Sequence, residues 1–231
     1  MPGAPEAVAA LRTAGVPVAF VTNSAMRTPA QVAEKLARHG VPDAESEVVT
    51  AAMAAATMVA PAERVLVVGS EGLVRAVDAA GAEIVTHGPA DAVMVGITPD
   101  FDYDAMTRAM RAVDGGARFI ATNTDSTFPS HDGLLPGNGA LVASISTATG
   151  VTPEVAGKPH TPIARLVRDR LGGSGLMVGD RPDTDGLFAD VIGYDFGLVL
   201  SGVTSRADLP VVPTPVAVAD DLRTLVADRL G

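Results

Sequence analysis

Three short stretches of this chain carry residue types that could handle a phosphoryl group. Thr22-Asn23-Ser24 ends one apolar run with two hydroxyls and an amide. Lys158 follows Gly157 and precedes a proline, and Asp180, Asp183 and Asp185 close another apolar run within six residues. Acids packed so closely repel one another, and a hard cation such as Mg²⁺ relieves this by taking one or two carboxylates while keeping waters and phosphate oxygens as its other ligands. An ammonium such as that of Lys158 can pair with both phosphate and carboxylates, and hydroxyl or amide donors can hold the remaining oxygens. The chemistry these types suit is metal-assisted phosphoryl transfer. Taken singly, each has a plainer reading: a solvated Asp-rich turn capping the next helix, or a surface lysine in a proline-rich turn. Their coexistence favours a site.

The surrounding patterns would deliver these residues to one edge of a parallel sheet. Val16 to Thr22 reads as a buried strand, and Thr28-Pro29 starts a helix that stops at Gly40. Residues 23 to 27 then lie at a strand's carboxyl end, where ligands bind in open α/β sheets and where helix N–H groups can meet an anion. After Pro61 a second series follows: strand 65–68, helix 72–80, strand 83–85, strand 92–96, helix 103–113 and strand 117–122. Glycine and proline cluster from Asn123 to Gly139, which predicts a long functional loop before a helix over 140–149. Gly137-Asn138-Gly139 reads as a tight turn rather than an anion site. Beyond Lys158 a helix over 162–171 leads to strand 176–178, and segments 198–200 and 216–218 are expected to rejoin the first sheet. The fold class is α/β.

Composition narrows the partners. The 231 residues are 47% hydrophobic and 19% charged, with no uncharged apolar run long enough to span a bilayer, so no membrane partner is expected. There is no cysteine and no signal-like start, which points to a cytoplasmic location. A net charge of −10 disfavours nucleic acid and leaves a small phosphorylated metabolite as the expected partner, since a local lysine and a cation can invert the field within one pocket. The four histidines, His39, His87, His131 and His160, show no metal-ligand spacing, and His131 reads as a solvated loop residue.

With these motifs in order, the chain resembles the haloacid dehalogenase-like (HAD) superfamily, in its NagD or 4-nitrophenylphosphatase-like branch (subfamily IIA). The residues that carry the resemblance are Pro2-Gly3-Ala4, Phe20-Val21-Thr22-Asn23 with Arg27-Thr28-Pro29, Phe119 to Asn123, Leu135-Pro136-Gly137, Gly157-Lys158-Pro159 and Val178 to Arg181. The resemblance implies a Rossmann-like core from 1–60 and 155–231, and an α/β cap of the C2 type inserted as 61–154. It implies that Thr22 binds phosphate with help from Asn23 and Ser24, that Lys158 steadies the phosphoryl group, and that Asp180 ligates Mg²⁺ with Asp183 and Asp185 behind it. It also suggests a homodimer through the cap.

Family members attack phosphate with the first Asp of an Asp-x-Asp-Gly motif at the end of strand one, and the second Asp serves as acid and base. Met1-Pro2-Gly3 corresponds to a point after that motif, so strand one and both aspartates are expected to be missing. Strand one is central in such sheets, and its loss would leave both flanking strands short of a partner. Ser24-Ala25-Met26 also replaces a stretch that is commonly Asn and Ser. The expectations are therefore a phosphatase of small phosphate monoesters whose working form needs an upstream segment, with chain 1–231 inactive alone, or else a catalytically dead binding or regulatory relative. An unrelated nucleotide-binding protein would want a Gly-rich loop after the first strand, which is absent.

Overall fold

Strands and helices alternate along the chain. They run α1 (Ala4–Thr13), β1 (Phe20–Thr22), α2 (Pro29–Arg38), β2 (Val48–Thr50), α3 (Ala51–Ala56), β3 (Arg64–Val68), α4 (Glu71–Ala79), β4 (Glu83–Val85), β5 (Ala92–Val95), α5 (Tyr103–Asp114) and β6 (Arg118–Ala121). They continue as β7 (Thr127–Ser130), β8 (Gly133–Pro136), α6 (Asn138–Thr149), β9 (Glu154–Val155), α7 (Thr161–Leu171), β10 (Leu176–Gly179), α8 (Leu187–Ile192), β11 (Asp195–Val199), β12 (Ala217–Ala219) and α9 (Leu222–Leu230). This computed structural model describes residues 3–130 and 132–230; Met1, Pro2 and His131, and the readings placed on them, lie outside the described residues.

The chain divides into two units. The first takes the chain up to Val21, Val32–Val48 and everything from Lys158 onward; the second takes Thr22–Gln31 and Val49–Gly157. In the second unit five parallel strands pair in the order β4-β3-β5-β6-β9. β5 lies centrally and buries all four of its residues, as a parallel strand covered on both faces should. One face packs Leu66, Val68, Val93, Val95 and Phe119 against Val113 of α5 and Val142 and Ile145 of α6. The strand order reverses between β3 and β5, so the carboxyl ends there and at β6 form the edge at which such sheets hold polar loops.

In the first unit β10, β11 and β12 form a parallel sheet. Leu176 and Val178 of β10 face Leu225 of α9, and Met177 faces the cluster of Ala189, Phe196 and Leu198. Both faces of β10 are therefore partly covered, and it ends its sheet, with β11 as its one strand neighbour among the described residues. The expectation that the later strands rejoin the first is corrected here: β1 pairs with β2 in a separate two-stranded sheet, because no described strand pairs with both β1 and β10.

Two further differences have local causes. The strand expected from Val16 begins only at Phe20, and Pro17 ahead of it has no N–H to give a ladder. The expected long loop 123–139 instead carries an antiparallel hairpin of β7 and β8, with Phe128 opposite Leu135. Pro129 and Pro136 mask its strand pattern, but a two-stranded ribbon has outer edges that tolerate proline.

Candidate active site

Lys158 sits just ahead of α7, whose start is set by Pro162 in the first turn. Its ammonium donates to Asp185 Oδ1 at 2.7 Å, and the two side chains are only 11% and 9% exposed. Asp185 lies in a π-helical turn over Pro182–Gly186, and its Oδ2 also accepts the Arg181 N–H at 3.3 Å. This turn folds back onto the end of β10. A Cβ at Gly179 would come within 2.2 Å of Asp185 Oδ2, so the carboxylate reaches its place only past a glycine. Sequence spacing could place Lys158 before a helix, but not name Asp185, 27 residues away, as its partner.

The other two acids turn elsewhere. Asp180 follows β10, and its Oδ2 accepts the Val203 N–H at 2.7 Å while its carbonyl accepts the Thr204 N–H. Gly202 makes room for this, because a Cβ there would lie 2.0 Å from Oδ2. Asp183 is 69% exposed and meets Arg181 at 3.4 Å on the surface. The mutual repulsion of the three acids is thus relieved by an ammonium, a backbone N–H and a guanidinium. Among the described residues no three acidic or histidine side chains gather into a cage for a metal. Asp180 follows the carboxyl end of β10, a place that suits a cation taking one carboxylate oxygen and filling its shell with water and phosphate oxygens.

The hydroxyl and amide residues belong to the second unit. Thr22 ends β1, and its Oγ1 accepts the Ser24 N–H at 3.1 Å, which tightens the turn. Ser24 is exposed, whereas Ala25 is completely buried. A Cβ at Gly96 would lie 3.4 Å from the Ala25 methyl, so packing accounts for a small apolar residue at this point. Thr28 and Gln31 cap α2 reciprocally: the Thr28 N–H donates to Gln31 Oε1 at 3.0 Å and the Gln31 N–H to Thr28 Oγ1 at 3.3 Å.

Asn23 is tied to Asp125, which the sequence did not single out, and to Asn123, which it marked only as part of a motif and a loop start. Its Nδ2 donates to both carboxylate oxygens of Asp125 at 3.3 Å, and its carbonyl accepts from Asn123 Nδ2 at 2.7 Å. Asn138, 1% exposed, donates in turn to the Asn123 and Val95 carbonyls at 2.7 and 3.2 Å. For Asn138 the sequence signal was Gly137-Asn138-Gly139. It is not an anion site: the Gly139 N–H donates to the Asp125 carbonyl at 2.9 Å, and a Cβ at Gly137 would lie 2.1 Å from that same oxygen.

Parallel sheets carrying a buried lysine–aspartate pair, with a further aspartate at a strand's carboxyl end, place the chain in the Rossmann-like α/β class. Comparison with known proteins makes this specific. Residues 1–83 match the haloacid dehalogenase-like hydrolase family, and residues 155–225 match a HAD-hydrolase-like family. The 5'-nucleotidase YutF of Bacillus subtilis is 41% identical over 209 residues, covering 87% of this chain and 80% of that protein. Among solved structures, p-nitrophenyl phosphatase from Archaeoglobus fulgidus superposes with TM-score 0.92 at 34% identity, over 99% of this chain and 92% of that one. Glycerol phosphate phosphatase Rv1692 from Mycobacterium tuberculosis, solved in complex with magnesium, gives TM-score 0.90 at 37% identity, over 97% and 70%. The chain belongs to the haloacid dehalogenase-like hydrolases. No helix among its described residues is long and apolar enough to cross a membrane.

Proposed function

We propose that this chain is a phosphatase-type HAD-like protein that binds small phosphate monoesters. The observation that carries the reading is the Lys158–Asp185 pair, an ammonium held rigidly and largely out of water beside the strand end that bears Asp180. Lys158 is the phosphoryl-steadying cation, and Thr22, Asn23 and Ser24 are the phosphate loop. Asp180 is the Mg²⁺ ligand, with Asp185 holding Lys158 and Asp183 further out. Bound Mg²⁺ would supply charge neutralisation for phosphate oxygens. Relatives named for a nucleotide, an aryl phosphate and glycerol phosphate support a monoester substrate and leave its identity to the residues around the hairpin.

Chain 1–231 by itself is proposed not to turn over. Nucleophilic catalysis needs a carboxylate that can attack phosphorus. Asp185 is held by Lys158, Asp183 by Arg181 and Asp180 by Val203, so each acid of the motif already has a task. The test is Mg²⁺-dependent phosphate release from an aryl phosphate by the folded chain beside Asp180→Asn. The expected result is no release above that variant. Efficient release abolished in Asp180→Asn would overturn the inactivity, and a binding or regulatory role would then lose its support.

A further inference from the structure

We propose that Asp125 is a positioning residue: held by the buried Asn138–Asn123 amide pair, it fixes the side chain of Asn23 and so the backbone of the Thr22-Asn23-Ser24 loop. The inference rests on the phosphate-loop reading above and assigns Asn23 a different task within it. Its side-chain amide serves Asp125, and the loop's contribution to an anion comes from hydroxyls and backbone N–H groups.

The geometry leaves few alternatives. Asn123 binds in three directions, giving Nδ2 to the Asn23 carbonyl, taking the Asp125 N–H on Oδ1 at 3.0 Å, and offering its carbonyl to Asn138. The orientation of the Asn138 amide is set by its surroundings, because Nδ2 faces two carbonyls that can only accept. This leaves Asn138 Oδ1 buried and without a hydrogen-bond partner among the described residues. The donor side of the amide is the side that the surrounding carbonyls engage. Close backbone packing adds to the constraint: a Cβ at Gly157 would come within 2.7 Å of Asn23 Oδ1, and one at Gly139 within 2.5 Å of the Thr124 carbonyl. Asn23 thus has Gly157 close on one side and Asp125 bonded on another. A carboxylate as the acceptor makes the tie stronger than a neutral amide would.

The test reads amide hydrogen exchange of ligand-free chain 1–231 in wild type, Asp125→Ala and Asp125→Asn, followed by titration of each with inorganic phosphate. Asp125→Ala is expected to speed exchange in segment 22–24 by about tenfold or more, the scale of one charge-assisted hydrogen bond. Asp125→Asn keeps an acceptor oxygen and is expected to restore most of the protection. Phosphate affinity should follow the same order. Unchanged exchange at 22–24 in Asp125→Ala, or a rise spread evenly over the whole unit, overturns the proposal. If Asp125→Ala does not fold, Asp125→Asn against Asn138→Ser supplies the comparison, with faster exchange at 22–24 expected in Asn138→Ser. Exchange is measured without phosphate, so a wild-type chain that fails to bind phosphate counts against the proposed function and leaves the tie between Asp125 and the loop to be judged by exchange alone.

Discussion

At the scale of single residues, the buried Lys158–Asp185 pair dominates the site's energetics. Asp185→Asn leaves an ammonium in a mostly dry setting, and removing one partner of such a pair costs about 3 kcal/mol or more. Lys158→Met with Asp185→Leu removes both charges, and urea denaturation should find this double variant more stable than Asp185→Asn alone. Gly202→Ala makes a second test, because its methyl would collide with Asp180 Oδ2. Any Mg²⁺ dependence of phosphate binding should weaken in Gly202→Ala while the protein stays folded, as read by circular dichroism and a Mg²⁺ titration. The sequence placed Thr22 and Asp180 at strand ends and Lys158 ahead of a helix, and that is where the structure has them. Asn123, Asp125 and Asn138 were not legible as partners of Asn23, since their ties cross about a hundred residues of chain and depend on glycines whose value lies in absent side chains.

At the scale of elements, parallel strands and amphipathic helices were readable from apolar periodicity, and the exceptions involve proline or pairing. The hairpin of β7 and β8 was hidden by Pro129 and Pro136, and the separation of β1–β2 from β10–β12 depends on which strands find neighbours, which periodicity does not encode. Element ties also give a pH test. Arg118 of β6 donates to the Met58 carbonyl at 2.9 Å and to the Glu63 carboxylate, which also accepts the Ala60 N–H at 2.8 Å. Burial alone would raise the Glu63 pKa, but the Ala60 N–H and the Arg118 guanidinium outweigh it and hold the carboxyl below its ordinary 4.5. A depressed carboxyl contributes stability above its unfolded pKa, and loses it as pH falls through the folded one. Thermal melts should therefore show wild type losing an advantage over Glu63→Gln below about pH 4.5. A constant difference between the two down to strong acid would contradict this.

At the scale of the molecule, the residues proposed to act on phosphate come from both units: Thr22, Asn23 and Ser24 from one, Lys158, Asp180 and Asp185 from the other. A chain of net charge −10 attracts an anion only where such donors act locally. The proposed function has this HAD-like chain recognise a phosphoryl group through Lys158 with a divalent cation. The most direct measurement is calorimetric titration of chain 1–231 with inorganic phosphate, with and without Mg²⁺, beside Lys158→Met. Mg²⁺-enhanced binding is expected, weakening by about tenfold or more in Lys158→Met, the scale of a charge-assisted contact. Phosphate binding of equal strength in both proteins, or none in the folded wild type at any Mg²⁺ concentration, would contradict it.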